Sequence, residues 1–421
     1  MFALADANNF YASCERVFNP ALRNKAIVVL SNNDGCVIAR SNEAKALGIK
    51  MGTPAYQIKK LIEDNLVTVF SSNYILYGDM SQRMMQLLGS YVPDIEIYSI
   101  DEAFLDLRSF ERFDLLKYGE TIVQTVFKGI GIPLSMGIAP TKTLAKVAAK
   151  YAKKIGKQGA VKLTRNNHEI QEALHDFPIE DVWGIGRQYS KALISANITT
   201  ALQFAQCNKD WVRKHFSVVG ERTWSELNGI TCIEFQYYPP EKKQICTSRS
   251  FSPMIDNYDT LSEAVASYAV NCAGKLRQQA NAANTVMVFI ATNRHRKDLP
   301  SYYNSKIVKL PVSTADSSQI AMAALTGLKA IYKDNFLYKQ AGVIVTDIVD
   351  CTSTQTNLFV PLPGAEKKKL METMDRLNLQ YGRETVKIGA EGFRTKSLYN
   401  RTQVSPCFST KLKDCIIVKA Q

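Results

Sequence analysis

Three acidic residues stand where they could do chemistry together. Asp6 closes the apolar run FALADA, and Asp101 and Glu102 sit side by side in YSIDEAFLD, between two further apolar runs. Carboxylates at adjoining strand ends can converge on one point, and hard oxygen ligands with open positions suit Mg²⁺. Two such ions about 4 Å apart would activate a hydroxyl nucleophile and stabilise a leaving pyrophosphate. Any one of these acids alone reads as a solvated strand end. The two-strand arrangement in a basic chain favours the metal.

Three further features bear on binding. In TKTLAKVAAKYAKK, Lys142, Lys146, Lys150 and Lys154 recur every fourth residue and form one helical stripe, with Leu144, Val147, Ala148 and Tyr151 facing elsewhere. Such a stripe is either phosphate-facing or solvated, since like charges at this spacing destabilise an isolated helix. In DVWGIGRQYSKAL, Gly184 and Gly186 flank a turn between helical stretches. Glycines there let backbone N–H groups approach a nucleic-acid phosphate, with Arg187 and Lys191 supplying charge, although a GxG is also an ordinary helix–helix turn. QTNLF, at 355–359, puts an apolar Leu358-Phe359 pair in a polar stretch. That is the form of a short peptide docking into a hydrophobic groove, or of a pair folded back on the body.

The elements that must position these residues can be read from periodicity. FALADA (2–7) and AIVVL (26–30) are short buried strands; IEIYSI and AFLDL flank the Asp101-Glu102 pair; LSMGIA (134–139) leads into the lysine-striped helix. Together they predict an α+β domain around a mostly antiparallel sheet, with residues 31–74 inserted. Residues 166–236 turn helical, and YYPPEKKQ reads as a linker. From 245 to 348 the order is β-α-β-β-α-β, which predicts a ferredoxin-like unit. After Asp350 the pattern gives way to a basic tail with some helix near 364–379.

Composition bounds the partners. The chain has 421 residues and a net charge of +13. Residues 1–240 hold 27 Lys and Arg against 24 Asp and Glu, whereas residues 241–421 hold 25 against 15. A basic excess without a membrane-type amphipathic segment points to a polyanion, nucleic acid by default, bound in a salt-sensitive way. No apolar run approaches the length needed to span a membrane, and the N-terminus lacks the parts of a signal peptide, so a cytoplasmic, nucleoid-associated protein is expected. The nine cysteines show no zinc spacing and read as free thiols.

The segments MFALADANNFYASCERVF, VVLSNNDGCVIARSNEAKALGIKMG, FSSNYILYGDMS, EIYSIDEAFLDL, GIAPTKTLAKVAAK and VWGIGR, in that order, resemble the Y-family of translesion DNA polymerases, and within it the UmuC branch. The resemblance runs along nearly the whole chain. It implies an α+β multidomain fold: palm (1–30 and 75–165), fingers (31–74), helical thumb with a helix-hairpin-helix (166–236), ferredoxin-like little finger (243–352) and a basic C-terminal partner-binding tail (353–421). It implies two Mg²⁺ ions on Asp6, Asp101, Glu102 and the carbonyl of Ala7. Tyr11 matches the steric gate, an aromatic ring standing where a ribose 2′-hydroxyl would sit. Phe10, Asn42, Lys45 and Lys153 fall at nucleotide contacts, and Ile38, with Asn32 and Asn33 nearby, would cover the nascent base pair. The wider family often has Tyr and Arg in place of Asn42 and Lys45.

The same resemblance implies primed template DNA and deoxynucleoside triphosphates as substrates, and error-prone synthesis past lesions within the SOS response to DNA damage. It implies a cleaved UmuD-type dimer and RecA as partners, the tail being the expected contact. Gln355, Leu358 and Phe359 resemble a sliding-clamp binding peptide, with Thr356 where Leu is usual. Two other readings fit part of the sequence. A nucleotidyl cyclase would share the metal acids but needs neither the glycine hairpin nor the basic C-terminal half. A non-catalytic DNA-binding scaffold would need no acids at all.

Overall fold

The computed structural model describes residues 1–110, 112–154, 159–164, 166–238, 240–352, 365–393 and 401–417. The chain divides into two compact units, Met1–Pro239 with Arg401–Gln421, and Pro240–Asn400. The first unit runs β1 (Phe2–Ala7), α1 (Phe10–Phe18), β2 (Ile27–Leu30), β3 (Val37–Arg40), α2 (Asn42–Ala46), α3 (Lys59–Glu63), β4 (Thr68–Ser71), α4 (Tyr74–Gly89), β5 (Ile95–Ile97), β6 (Glu102–Asp106), α5 (Leu115–Ile130), β7 (Leu134–Ala139), α6 (Lys142–Lys154) and β8 (Ala160–Lys162). Four helices follow: α7 (Asn167–His175), α8 (Arg187–Ser195), α9 (Ala201–Ala205) and α10 (Lys209–Leu227).

The main sheet has the order β5-β6-β1-β7-β8, antiparallel except for the β7–β8 pair. Its central strands are covered on both faces, which is why FALADA and LSMGIA read as unbroken apolar runs. Successive side chains of a strand face opposite sides. Phe2, Leu4 and Phe104 pack with α6 and the following helices, while Ala3, Ala5, Ala7, Ala103 and Leu105 pack with α1, α4 and α5. Asp6 and Glu102 therefore share the α6 face.

The close seat of α6 on β7 rests on one glycine. A Cβ on Gly137 would lie 2.1 Å from the Ala145 carbonyl oxygen and 2.2 Å from the Ala149 nitrogen. Both are helix backbone and cannot swing aside. Gly137→Ala is therefore expected to cost about 3 kcal/mol, in the upper range of overpacking, read as a lowered urea midpoint.

The run AIVVL, read with the strands of the larger sheet, is instead the central strand of a smaller one, β3-β2-β4, with its own core of Val28, Leu30, Val37, Ile49, Ile58 and Val67. Helices α7–α10 build on the α6 side of the main sheet. Glu226, fully buried on α10, accepts from the backbone N–H of Thr143 at 3.0 Å, and of Cys232 and Ile233 at 2.7 and 3.0 Å. A carboxylate at the first turn of α6 complements that helix's positive end and pins the helical segment to it.

The second unit contains β9 (Gln244–Ile255), α11 (Tyr258–Gln278), β10 (Asn281–Thr292), β11 (Tyr303–Thr314), α12 (Ser317–Ile331), β12 (Tyr338–Asp350) and α13 (Ala365–Tyr381). The element order is the one expected, but the sheet is β11-β10-β12-β9, antiparallel throughout. That corrects the ferredoxin-like expectation, in which the first and third strands, here β9 and β11, would be central neighbours. The reason is legible in composition. β9 carries Pro253 and β11 carries Pro311, Lys306 and Lys309, all suited to an edge, while the apolar β10 and β12 take the middle. In the tail, Arg277 of α11 grips Asp375 of α13 with bonds of 2.6 and 2.7 Å. Residues 401–417 belong instead to the first unit.

All nine cysteines are free. Among the described residues no helix is long and apolar enough to cross a membrane.

Candidate active site

Asp6 and Glu102 face each other directly across the β1–β6 pair, and the Ala7 N–H bonds the Asp101 carbonyl at 2.9 Å. Cross-strand partners stand roughly 5 Å apart at Cβ. Each acid is matched by a lysine of α6: Lys153 Nζ lies 2.6 Å from Asp6 Oδ2, and Lys146 Nζ lies 2.7 Å from Glu102 Oε2. Burial pushes the Asp6 carboxyl up from 3.8 to about 6; Lys153 pulls it down, and the neighbouring Glu102 and Asp101 charges push it further up. Asp101 is steadied from the loop, where Ser99 Oγ donates to Asp101 Oδ1 at 2.5 Å and accepts from the Glu102 N–H at 3.0 Å.

Three carboxylates that feel one another across a half-buried face call for positive charge, and their donor chemistry, all hard oxygen, fits Mg²⁺ or Mn²⁺ rather than zinc. Among the described residues, however, no three His, Cys, Asp or Glu side chains form a single metal-holding group. Asp6 and Glu102 are drawn to their lysines and Asp101 to Ser99.

Tyr11 projects from the first turn of α1 on the α4 side of the sheet, near enough to Asp101 to feel its charge. Its ring stacks on Tyr77 of α4 at 4.5 Å between centroids and 15° between planes, and meets Tyr74 edge-on at 6.1 Å. Burial, with smaller pushes from Tyr74 and Asp101, raises its phenol to about 12, so it stays neutral. Asn9, at φ 50° in the left-handed region that Asn tolerates, turns the chain from β1 into α1. The Asn9 amide donates to Asn42 Oδ1 at 3.0 Å, and Lys45 Nζ donates to Asn9 Oδ1 at 2.7 Å and Asn42 Oδ1 at 3.3 Å. Burial, then repulsion from Arg40 and Lys153, pulls the Lys45 ammonium below its ordinary value. A cation held on neutral amides, with Arg40 and Lys153 close enough to repel it, is suited to an anion with several negative oxygens.

Residues 5–150 match the impB/mucB/samB family, residues 242–358 match that family's C-terminal domain, and residues 368–418 match a domain of unknown function, DUF4113. The chain belongs to the impB/mucB/samB family. It is 43% identical to Protein UmuC of Salmonella typhimurium strain LT2 over 423 residues, all of both chains. It is also 43% identical to Protein ImpB of Salmonella typhimurium over 419 residues, 98% of each. More distantly, it is 25% identical to DNA polymerase IV of Oceanobacillus iheyensis over 90% of this chain and 88% of that one.

The family's N-terminal match contains Asp6, Tyr11, Ile38, Asn42, Lys45, Asp101 and Glu102; Tyr11 and Ile38 are both partly buried against the core under β1. The Phe10 side chain is 3% exposed and belongs to the core under β1, because the first turn of α1 turns Tyr11 outward and Phe10 inward; this leaves only its backbone free to meet a nucleotide. The lysine stripe does not behave as one face. Lys142 is fully buried, bonded to Glu96 at 2.5 Å and the Glu234 carbonyl at 2.6 Å; Lys146 holds Glu102; Lys150 pairs with Asp181. Lys142 and Lys146 are thus turned to protein acids under the following helices, Lys150 pairs with an acid while staying exposed, and the Lys154 side chain falls outside the described residues.

Between the two family matches lies the glycine turn. Gly184 has φ 94°, and a Cβ there would come 2.4 Å from Thr223 Oγ1; Gly186 caps the start of α8 in open space. Gly184, Gly186, Arg187 and Lys191 are all exposed. Gln355, Leu358 and Phe359 fall outside the described residues. Sequence reasoning missed Asn9, Ser99, Tyr74 and Tyr77. The spacing Tyr74-x-x-Tyr77 on one helix face was the available signal for the last two.

Proposed function

We propose that the first unit adds deoxynucleotides to a primer by two-metal nucleotidyl transfer, with Asp6, Asp101, Glu102 and the Ala7 carbonyl holding two Mg²⁺ ions. The enzyme class is that of the DNA-directed DNA polymerases, whose name is carried by relatives such as DNA polymerase IV. The observation that carries the reading is the Asp6–Glu102 pair, opposed across adjacent strands, with Asp101 at the turn and Tyr11 near Asp101. Bound divalent ions would supply Lewis-acid charge at the reacting phosphate.

The chain's own residues then have separate tasks. Lys153 and Lys146 steady the acid face before substrate arrives. Lys45, Asn42 and Lys153 hold the triphosphate so that its α-phosphorus lies in line with the primer 3′-hydroxyl, and Ile38 covers the new base pair. The Tyr11 ring fills the space of a 2′-hydroxyl. In this reading the five-stranded sheet is the palm, the three-stranded sheet the fingers, α7–α10 the thumb and β9–β12 with α11 and α12 the little finger. Gly184, Gly186, Arg187 and Lys191 would take a DNA phosphate. Synthesis past lesions in the SOS response, with the clamp bound through Gln355, Leu358 and Phe359 and with a UmuD-type dimer and RecA as partners, follows the same reading.

The deciding experiment pairs primer extension with DNA binding for the wild type and Asp101→Ala. The variant should bind primed DNA as the wild type does and extend it about 10²–10³-fold more slowly, the usual cost of removing one stabiliser of developing charge. Extension undiminished in Mg²⁺ would reject the assignment. A wild type that binds primed DNA and adds no nucleotide would favour a scaffold.

A further inference from the structure

Residues 401–408, within the stretch matched to a domain of unknown function, are stitched to β4, to the turn after β2 and to α1, the helix that carries Tyr11. The Ser71 N–H donates to the Gln403 carbonyl at 2.9 Å, the Gln403 N–H returns to Ser71 Oγ at 3.0 Å, and the Thr402 N–H reaches Asp34 Oδ2 at 3.0 Å. Phe408 stacks on Phe18, the last residue of α1, at 4.9 Å and 16°.

Two buried side chains join this segment to the aromatic pair. Asn73 caps α4 by accepting from the Leu76 N–H at 3.2 Å, and with its other end donates to the Ser405 carbonyl at 2.8 Å and to Ser405 Oγ at 3.0 Å. Ser405 Oγ in turn donates to Glu15 Oε1 at 2.9 Å, the same oxygen that accepts from Tyr77 Oη at 2.6 Å. Glu15, Asn73, Tyr77 and Ser405 are all at most 8% exposed. No cation is bonded to Glu15 among the described residues, so two hydroxyls hold its carboxylate; burial pushes that carboxyl up, and the two hydroxyls pull it down. Taking away a hydrogen bond from a buried charge leaves the charge to find another donor or a proton. Tyr77 is the donor left, and its ring is the one stacked on Tyr11.

We infer that Ser405 is a positioning residue for sugar selection: with Tyr77 it fixes the Glu15 carboxylate, and so the plane of the Tyr77 ring against which Tyr11 is set. The inference rests on Tyr11 being the steric gate. It gives the C-terminal segment a part in the nucleotide pocket of its own chain.

The test uses the full-length chain on a primed template, with ribonucleotide and deoxynucleotide insertion measured separately for wild type, Ser405→Ala, Ser405→Thr and Tyr11→Ala. Ser405→Ala should raise the ribonucleotide share about tenfold, the worth of one hydrogen bond to a charged group, through a lower KM for ribonucleotides. Its kcat with deoxynucleotides should stay within about twofold. Ser405→Thr, which keeps the hydroxyl, should restore discrimination. In Tyr11→Ala the Ser405→Ala change should add nothing further, because the two act on one ring. If Tyr11→Ala opens sugar selection and Ser405→Ala does not, even where it lowers the melting temperature, the inference fails and the gate stands. If Tyr11→Ala itself leaves selection unchanged, the gate falls and the inference with it. Should Ser405→Ala not fold, Ser405→Cys, of similar shape with a weaker donor, carries the same comparison.

Discussion

Asp6→Asn should extend primers about 10³-fold more slowly than the wild type and yet melt at a higher temperature when divalent ions are chelated. The loss follows from removing a charged ligand at the centre of the acid face, where electrostatic stabilisers commonly contribute 10²–10³ in rate. The gain follows from the same charge. The Asp6 carboxyl stands at about 6 in the fold, against an ordinary value of 3.8, because burial and two neighbouring acids oppose its ionised form. A raised carboxyl holds its proton more tightly in the folded than in the unfolded chain. Its contribution therefore favours the fold below pH 3.8 and is lost as the pH rises through about 6. At neutral pH the neutral amide is relieved of that loss. Part of the relief is offset because Lys153 keeps only a neutral acceptor, so a net of about 1–2 kcal/mol is expected. Thermal unfolding of both proteins in a chelator, from pH 4 to pH 7.5, checks it: the variant's advantage should open between pH 4 and 6 and vanish at the acid end. A variant that melts lower at pH 7.5 would show that Lys153 outweighs the burial and repulsion at this site, leaving no stability held in reserve for function.

Which parts of this were legible in the sequence follows from what local pattern can encode. Short apolar runs ending in acids placed Asp6 and Glu102 at strand ends, and the register that sets them opposite one another is a direct consequence of pairing β1 with β6. The β-α-β-β-α-β order was equally plain, because each element carries its own periodicity. The strand order was not, since it depends on which strands tolerate an edge; Pro253 and Pro311 held that information, but only once the sheet's neighbours are compared. The lysine stripe shows the same limit from another side. Four-residue spacing fixes a shared face and says nothing of what covers it, so the full burial of Lys142 against Glu96 came from residues 46 positions upstream. Phe10 and Tyr11 are adjacent aromatics with opposite fates, decided by the direction in which α1 leaves β1. Ser405 was out of reach altogether. Nothing local marks a serine in a tail as the partner of Glu15, 390 positions away.

Tyr11→Ala should admit ribonucleotides about 10²-fold more readily and leave extension with deoxynucleotides within about threefold of the wild type. A ring in van der Waals contact with C2′ leaves no room for a hydroxyl, and discrimination by fit alone is commonly worth a factor of 10–10². Three features of the site make the effect specific to the sugar. Tyr11 is locked on both sides, by the stack on Tyr77 and the edge of Tyr74, so it cannot swing away from a ribose. Its phenol, raised to about 12, stays uncharged and does not repel a triphosphate. The groups assigned to the phosphates, Asn42 and Lys45, are bonded to Asn9 and not to Tyr11, so truncating the ring leaves their bonds intact. The measurement is the ratio of kcat/KM for each ribonucleotide to that of its deoxy counterpart opposite a matched base. A ratio that does not move rejects Tyr11 as the gate, while parallel losses with both sugars would mean that the ring shapes the acid face and not the pocket. A melting temperature close to that of the wild type is expected in either case, because Tyr11 is only half-buried and Tyr77 remains held by Glu15.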